Sequence, residues 1–128
     1  MRLLLDTQIL LWAAGEPERL PEDVRAMLED DGNVLLFSAA SIWEVAIKSS
    51  LGRDDFVADA AILRRGLLEN GYVEVPVTGE HAVGVRSLPM VHRDPFDRML
   101  AAQAISEGAC LVTADERLAD NPISIVRV

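Results

Sequence analysis

Three short apolar runs, Leu3-Leu4-Leu5, Val34-Leu35-Leu36-Phe37 and Leu111-Val112-Thr113, are each followed within two residues by a polar group and then by a helical pattern. Continuous apolar runs of this length suit strands buried on both faces, as parallel sheets require. Strands that alternate with helices are joined by crossovers, which place helices on both sides of the sheet. The expected fold class is therefore α/β, a three-layer α/β/α arrangement around a central parallel sheet. With 128 residues and half of them apolar, the chain has material for one ordinary domain over 1–128.

Turn and cap residues divide the rest. A strand is expected over 2–5, and then a helix over 7–14 that is apolar nearly all round and so largely buried. Gly15 and Pro17 end it, and Pro21-Glu22-Asp23 opens a helix to about residue 30, with proline and acids in the first turn. Further helices are expected over 39–51 and 56–69, the latter ended by Asn70-Gly71. A strand over 72–75, a weaker helix over 78–88 and a helix from Asp94-Pro95 to about residue 107 follow. A strand over 111–113, a helical turn over 115–119 and a last strand over 123–126 complete the chain.

Several function classes drop out on composition. No apolar stretch approaches the ~20 residues of a membrane span, and the amino end has an apolar run broken by Asp6, unlike a signal peptide; a cytoplasmic protein without a membrane partner is expected. One cysteine, Cys110, excludes an internal disulfide framework, and with only His81 and His92 there is no zinc-ligand spacing. The net charge of −9 argues against coating nucleic acid through a broad basic face. It makes a basic protein partner plausible instead. Of the 12 basic residues only Lys48 is a lysine, an arginine bias better explained by genome composition than by binding.

Four acids stand where an open sheet would bring them together. Asp6 and Asp115 follow apolar strands at the carboxyl edge, where ligands of such sheets collect. Glu44 lies in the helix after the second strand, flanked by Trp43 and Val45, and Asp97 lies at a helix start. Two carboxylates ~5 Å apart repel by roughly 3 kcal/mol at an effective dielectric near 20, so four need protonation or a cation. A divalent ion, and with it phosphoryl chemistry, is the simpler answer.

Each acid also has a structural explanation. Asp6 is a good N-cap, Ser41-Ile42-Trp43-Glu44 and Thr113-Ala114-Asp115-Glu116 match capping boxes, and Asp94-Pro95-Phe96-Asp97 is a helix opening in itself, with Asp94 as cap. Caps alone do not require Asp6 and Asp115 to meet, however, and Glu44 caps poorly if its helix begins at Ser38. Around the quartet, Thr113 is a candidate auxiliary group to a ligand carboxylate. Lys48, four residues after Glu44, is either a helical ion pair or a phosphate contact. His92, Arg93 and Arg98 are candidate substrate contacts, with surface solvation as the default.

Receiver domains of phosphorelay systems share the acidic edge but need a lysine near the last strand, and haloacid-dehalogenase-type phosphatases need a second aspartate where this chain has Gln8. Leu3-Leu4-Leu5-Asp6-Thr7, residues 38–48 (SAASIWEVAIK), residues 92–104 (HRDPFDRMLAAQA) and Leu111-Val112-Thr113-Ala114-Asp115 resemble, in order, the motifs of the PIN-domain family, specifically the single-domain ribonuclease toxins of the VapC type. The resemblance implies Asp6, Glu44, Asp97 and Asp115 as catalytic and metal-binding acids, with Thr113 as auxiliary. It further implies Mg²⁺ or Mn²⁺, an RNA substrate, a homodimer, and an antitoxin encoded alongside. The expected reaction is endonucleolytic hydrolysis of RNA, with Asp6 and Asp97 as direct ligands. The expected antitoxin carries a basic, Arg-bearing segment that meets the acidic pocket and the apolar helices between Pro21 and Leu68. The alternatives are a PIN-fold RNA-processing nuclease without an antitoxin, and a non-catalytic binding module whose acids are only caps.

Overall fold

The structure, a computed structural model, describes residues 1–52, 58–89, 94–120 and 123–128. The apolar runs become parallel strands: β1 (Arg2–Leu5), β2 (Val34–Ser38), β3 (Val73–Val75), β4 (Cys110–Thr113) and β5 (Ile125–Arg127), in the order β3-β2-β1-β4-β5. Leu4 pairs with Leu36 on one side and Leu111 on the other, so the most apolar strand is central.

Alternation within β1 divides the core. Leu3 and Leu5 face one side, with Phe37 and Val112, and pack against Ile9 and Leu10 of α1 (Thr7–Gly15), Val24 of α2 (Glu22–Glu29), Val45 of α3 (Ala39–Ser50) and Leu63 and Leu67 of α4 (Ala60–Glu69). Leu4, Leu36 and Leu111 face the other, against Leu100 and Ala104 of α6 (Pro95–Ser106). The helix α5 (Gly79–Gly84) and a 3₁₀ turn, Val85–Ser87, lie against α6. Helices thus cover both faces of a parallel sheet, the expected three layers. No helix among the described residues is long and apolar enough to cross a membrane.

Some boundaries moved. Helix α1 is buried in its first turn at Thr7, Ile9 and Leu10 but only half-buried at Leu11 and Trp12, so it is less enclosed than its composition implies. The expected 78–88 helix stops at Gly84 and tightens to 3₁₀, with the Leu88 N–H donating to the Val85 carbonyl at 3.1 Å; Pro89 has no N–H to offer that carbonyl in a continuing α-helix, and Arg98 Nη2 donates to it at 3.0 Å. Asp59 caps α4 through the Ile62 N–H, at 3.0 Å, so the described part of that helix begins at Ala60; residues 56 and 57 of the expected span lie outside the described residues. The last strand begins two residues later than expected and ends one residue later, with Val126 in register with Val112. At the end of α6, Gly108 takes φ +61° and the Ala109 N–H reaches back to the Ala104 carbonyl at 2.9 Å, the reversal that feeds the chain into β4.

Candidate active site

The carboxyl ends of β1 and β4 are adjacent, and the Asp6 N–H donates to the Val112 carbonyl at 3.0 Å, which brings Asp6 alongside Thr113. Asp6 is buried. One of its oxygens, Oδ1, accepts the Ile9 N–H at 2.9 Å and so caps α1, while Oδ2 accepts the Thr113 hydroxyl. The cap reading and the site reading are therefore both realised, one on each oxygen.

Glu44 reaches the same place from α3. Ser38, not Ser41, is the N-cap of that helix, its hydroxyl accepting the Ala40 N–H at 3.0 Å. Glu44 consequently lies in the second turn, buried, with Oε1 accepting the Thr7 hydroxyl at 2.7 Å and Oε2 paired with Lys48 Nζ at 2.7 Å. Thr7 Oγ1 also lies 3.0 Å from Ser41 Oγ, which ties α1 to α3 beneath the carboxylate.

The third and fourth acids come from the other half of the chain. Asp94 caps α6 by accepting the Phe96 and Asp97 N–H groups at 2.9 and 3.1 Å, and leaves Asp97 in the first turn without a capping role of its own. Asp115 lies between β4 and the 3₁₀ turn that follows it. Its N–H donates to Thr113 Oγ1 at 3.0 Å, and its carboxylate accepts the Arg117 N–H and guanidinium in the 3₁₀ turn Glu116–Asp120.

Asp6, Glu44, Asp97 and Asp115 line one cavity of about 330 Å³ with Asp94, Thr7, Gln8 and Lys48. Five carboxylates share that lining with one lysine. The pKa of Asp6 is raised, chiefly by burial, against the lowering effect of the Thr113 and Ile9 hydrogen bonds, with smaller contributions from the charges of Asp115 and Glu44. Hard oxygen donors around a carboxylate held above its ordinary range suit a hard divalent cation such as Mg²⁺ or Mn²⁺. Among the described residues no three acids, histidines or cysteines already converge on one point as a preformed cage. Glu44 is anchored by Thr7 and Lys48, Asp6 by Thr113 and Asp115 by Arg117, and a cation would draw these side chains inward.

Other expected contacts separate. Lys48 lines the cavity through its Glu44 pair, whereas Arg98 turns away to the Pro89 and Val85 carbonyls, at 2.9 and 3.0 Å. His92 and Arg93 lie outside the described residues. Thr7 and Arg117 were not singled out from sequence; their only signal is position, one residue after Asp6 and two after Asp115.

A wholly parallel sheet with an acidic pocket outside the carboxyl ends of its central strands defines an α/β protein of the edge-site class. The PIN domain family profile matches residues 3–123, and the chain belongs to that family, whose members are generally nucleases acting with divalent metal ions. Among solved structures, that of VapBC2 from Rickettsia felis bound to a DNA fragment from their promoter is similar at 17% identity and TM-score 0.75, over 100% of this chain and 99% of that one. VapBC-5 from Mycobacterium tuberculosis, a member of the VapBC family of toxin-antitoxin systems, is similar at 19% identity and TM-score 0.62, over 99% and 98%. The PIN domain endonuclease Utp24 is similar at 15% identity and TM-score 0.56, over 99% and 84%. At these identities the likeness is one of fold. No curated protein matches the sequence.

Proposed function

We propose that this chain is a metal-dependent endoribonuclease, a single catalytic domain over 1–128 that serves as the toxin of a type II toxin-antitoxin pair in the cytoplasm. The observation that carries this reading is the convergence of Asp6, Glu44, Asp97 and Asp115, from four separate elements, on one cavity. Caps that merely tie off their own helices have no reason to meet. Asp6 and Asp97 are the direct ligands to Mg²⁺ or Mn²⁺ in this proposal, with Glu44 and Asp115 completing the shell directly or through water. A bound ion supplies Lewis-acid charge at a phosphodiester and acidifies water. The chain's own part is to hold the carboxylates in register through Thr7 and Thr113, and to accept the proton of the attacking water on a carboxylate of the quartet.

Asp97→Asn tests the assignment. Asp97 is half-buried, and Asp94, not Asp97, caps α6, so the fold is expected to survive. RNA cleavage in Mg²⁺ is expected to fall by about 100-fold or more. Cleavage at the wild-type rate would remove Asp97 from the site.

The toxin role carries a partner with it. A second, largely apolar cavity of about 560 Å³ lies among α1, α2 and α4, lined by Ala14, Leu20, Leu28, Ile62, Leu63 and Tyr72 among others. It suits an apolar antitoxin segment, with an arginine reaching the acidic pocket, and a homodimer is the proposed assembly. Purification with the product of the neighbouring gene tests this, since a protein that neither binds nor inhibits would favour the second reading. That reading is an RNA-processing nuclease without an antitoxin; the PIN domain endonuclease Utp24 shares the fold.

A further inference from the structure

Asp115 is the acid whose carboxylate a guanidinium already grips. Arg117 Nε donates to Oδ1 at 3.1 Å and Nη2 to Oδ2 at 2.9 Å, and the Arg117 backbone N–H adds a third bond to Oδ1 at 2.9 Å. A carboxylate offers about four acceptor positions, and Arg117 alone fills three of them. The two guanidinium bonds form a fork that spans both oxygens, the approach a hard cation needs. Fork and ion therefore compete for the same oxygens, and their positive charges repel.

Arg117 also has the mobility and the field to move. Its side chain is 67% exposed, so its release uncovers no core. Its guanidinium is held charged first by the Asp115 hydrogen bonds and charge, and also by Asp97 and Asp94, two acids that line the cavity. A planar fork that leaves a carboxylate at the rim of such a pocket matches the oxygens of a phosphate diester equally well.

We propose that Arg117 is a tethered cation that occupies Asp115 in the metal-free protein and passes to the substrate phosphate when a divalent ion takes Asp115. The proposal rests on the metal-dependent nuclease reading. It makes Arg117 both a brake on metal loading and a substrate-binding group, so that ion and RNA are coupled through one side chain. Full release of the fork is expected only when both are present.

Mn²⁺ titration of the full chain by electron paramagnetic resonance or calorimetry, for wild type and Arg117→Ala, reads the first half. Arg117→Ala is expected to bind Mn²⁺ about three- to tenfold more tightly, the scale of losing one exposed charge and its ion pair. At saturating Mn²⁺ the same variant is expected to show a raised KM for a single-stranded oligoribonucleotide, with kcat within about twofold, and Arg117→Lys, which keeps charge without the fork, an intermediate KM. Unchanged or weaker Mn²⁺ binding in Arg117→Ala, or an unchanged KM, overturns the role of Arg117 and leaves the nuclease reading standing. Wild type with no saturable Mn²⁺ site overturns both.

Discussion

The Thr113 hydroxyl donates to Asp6 Oδ2 across the β1–β4 pair while its oxygen accepts the Asp115 N–H, so a single uncharged side chain holds two acids of the pocket. Its hydrogen bond favours the carboxylate form of Asp6, against burial, which disfavours it. Thr113→Val removes that bond. The Asp6 pKa then rises further, protons compete better with the cation, and the pH of half-maximal Mn²⁺ binding is expected to move upward. The buried groups left behind cost about 1–3 kcal/mol of stability at neutral pH, measurable by urea denaturation.

Asp6 itself sets a trade between stability and binding. Its folded pKa lies above the unfolded value, so its contribution is fully present at low pH and is lost as pH rises through the folded pKa. Above the folded pKa the metal-free protein bears the penalty of a buried charge. Asp6→Asn removes the charge, and its amide oxygen still accepts the Ile9 N–H. The metal-free variant is therefore expected to melt at or above the wild-type temperature at pH 7, with the gap closing in acid, and to gain nothing from Mn²⁺ that stabilises wild type. A variant melting well below wild type at pH 7 would show that the carboxylate and its Thr113 hydrogen bond stabilise the fold by more than burial of the charge costs.

The site depends on a rigid floor. Phe37 is fully buried and immediately precedes Ser38, the cap that launches α3 towards Glu44. Phe37→Ala is expected to lower unfolding free energy by about 3–5 kcal/mol in urea titration. A loss under about 1 kcal/mol would mean that the sheet and α3 repack freely.

Much of this was readable from residues alone, for identifiable reasons. Strands β1, β2 and β4 are unbroken apolar runs, which buried parallel strands require, and the Asp94-Pro95 opening announces its helix in three residues. That Asp6 and Asp115 would lie at one edge of the sheet was legible because each follows such a run within two residues and strand adjacency does the rest. The Ser41 box failed as a helix start because β2 runs on to Ser38, whose hydroxyl takes the cap first. The break at Gly84 was only partly legible: Pro89, with no N–H, denies the Val85 carbonyl an α-helical donor, whereas the Arg98 guanidinium that bonds it lies 13 residues on. Arg117 was equally hidden: its fork reaches back to Asp115 only through a 3₁₀ turn, and no local pattern distinguishes that from a solvated arginine.

Crystals soaked in Mn²⁺, with anomalous scattering to locate the ion, test the central relationship most directly. The expected result is a peak in the pocket coordinated by Asp6 and Asp97, with Glu44 and Asp115 bonded directly or through water. A peak elsewhere, or none at saturating Mn²⁺, with Asp6, Glu44 and Asp115 still on their separate hydrogen bonds, would contradict it.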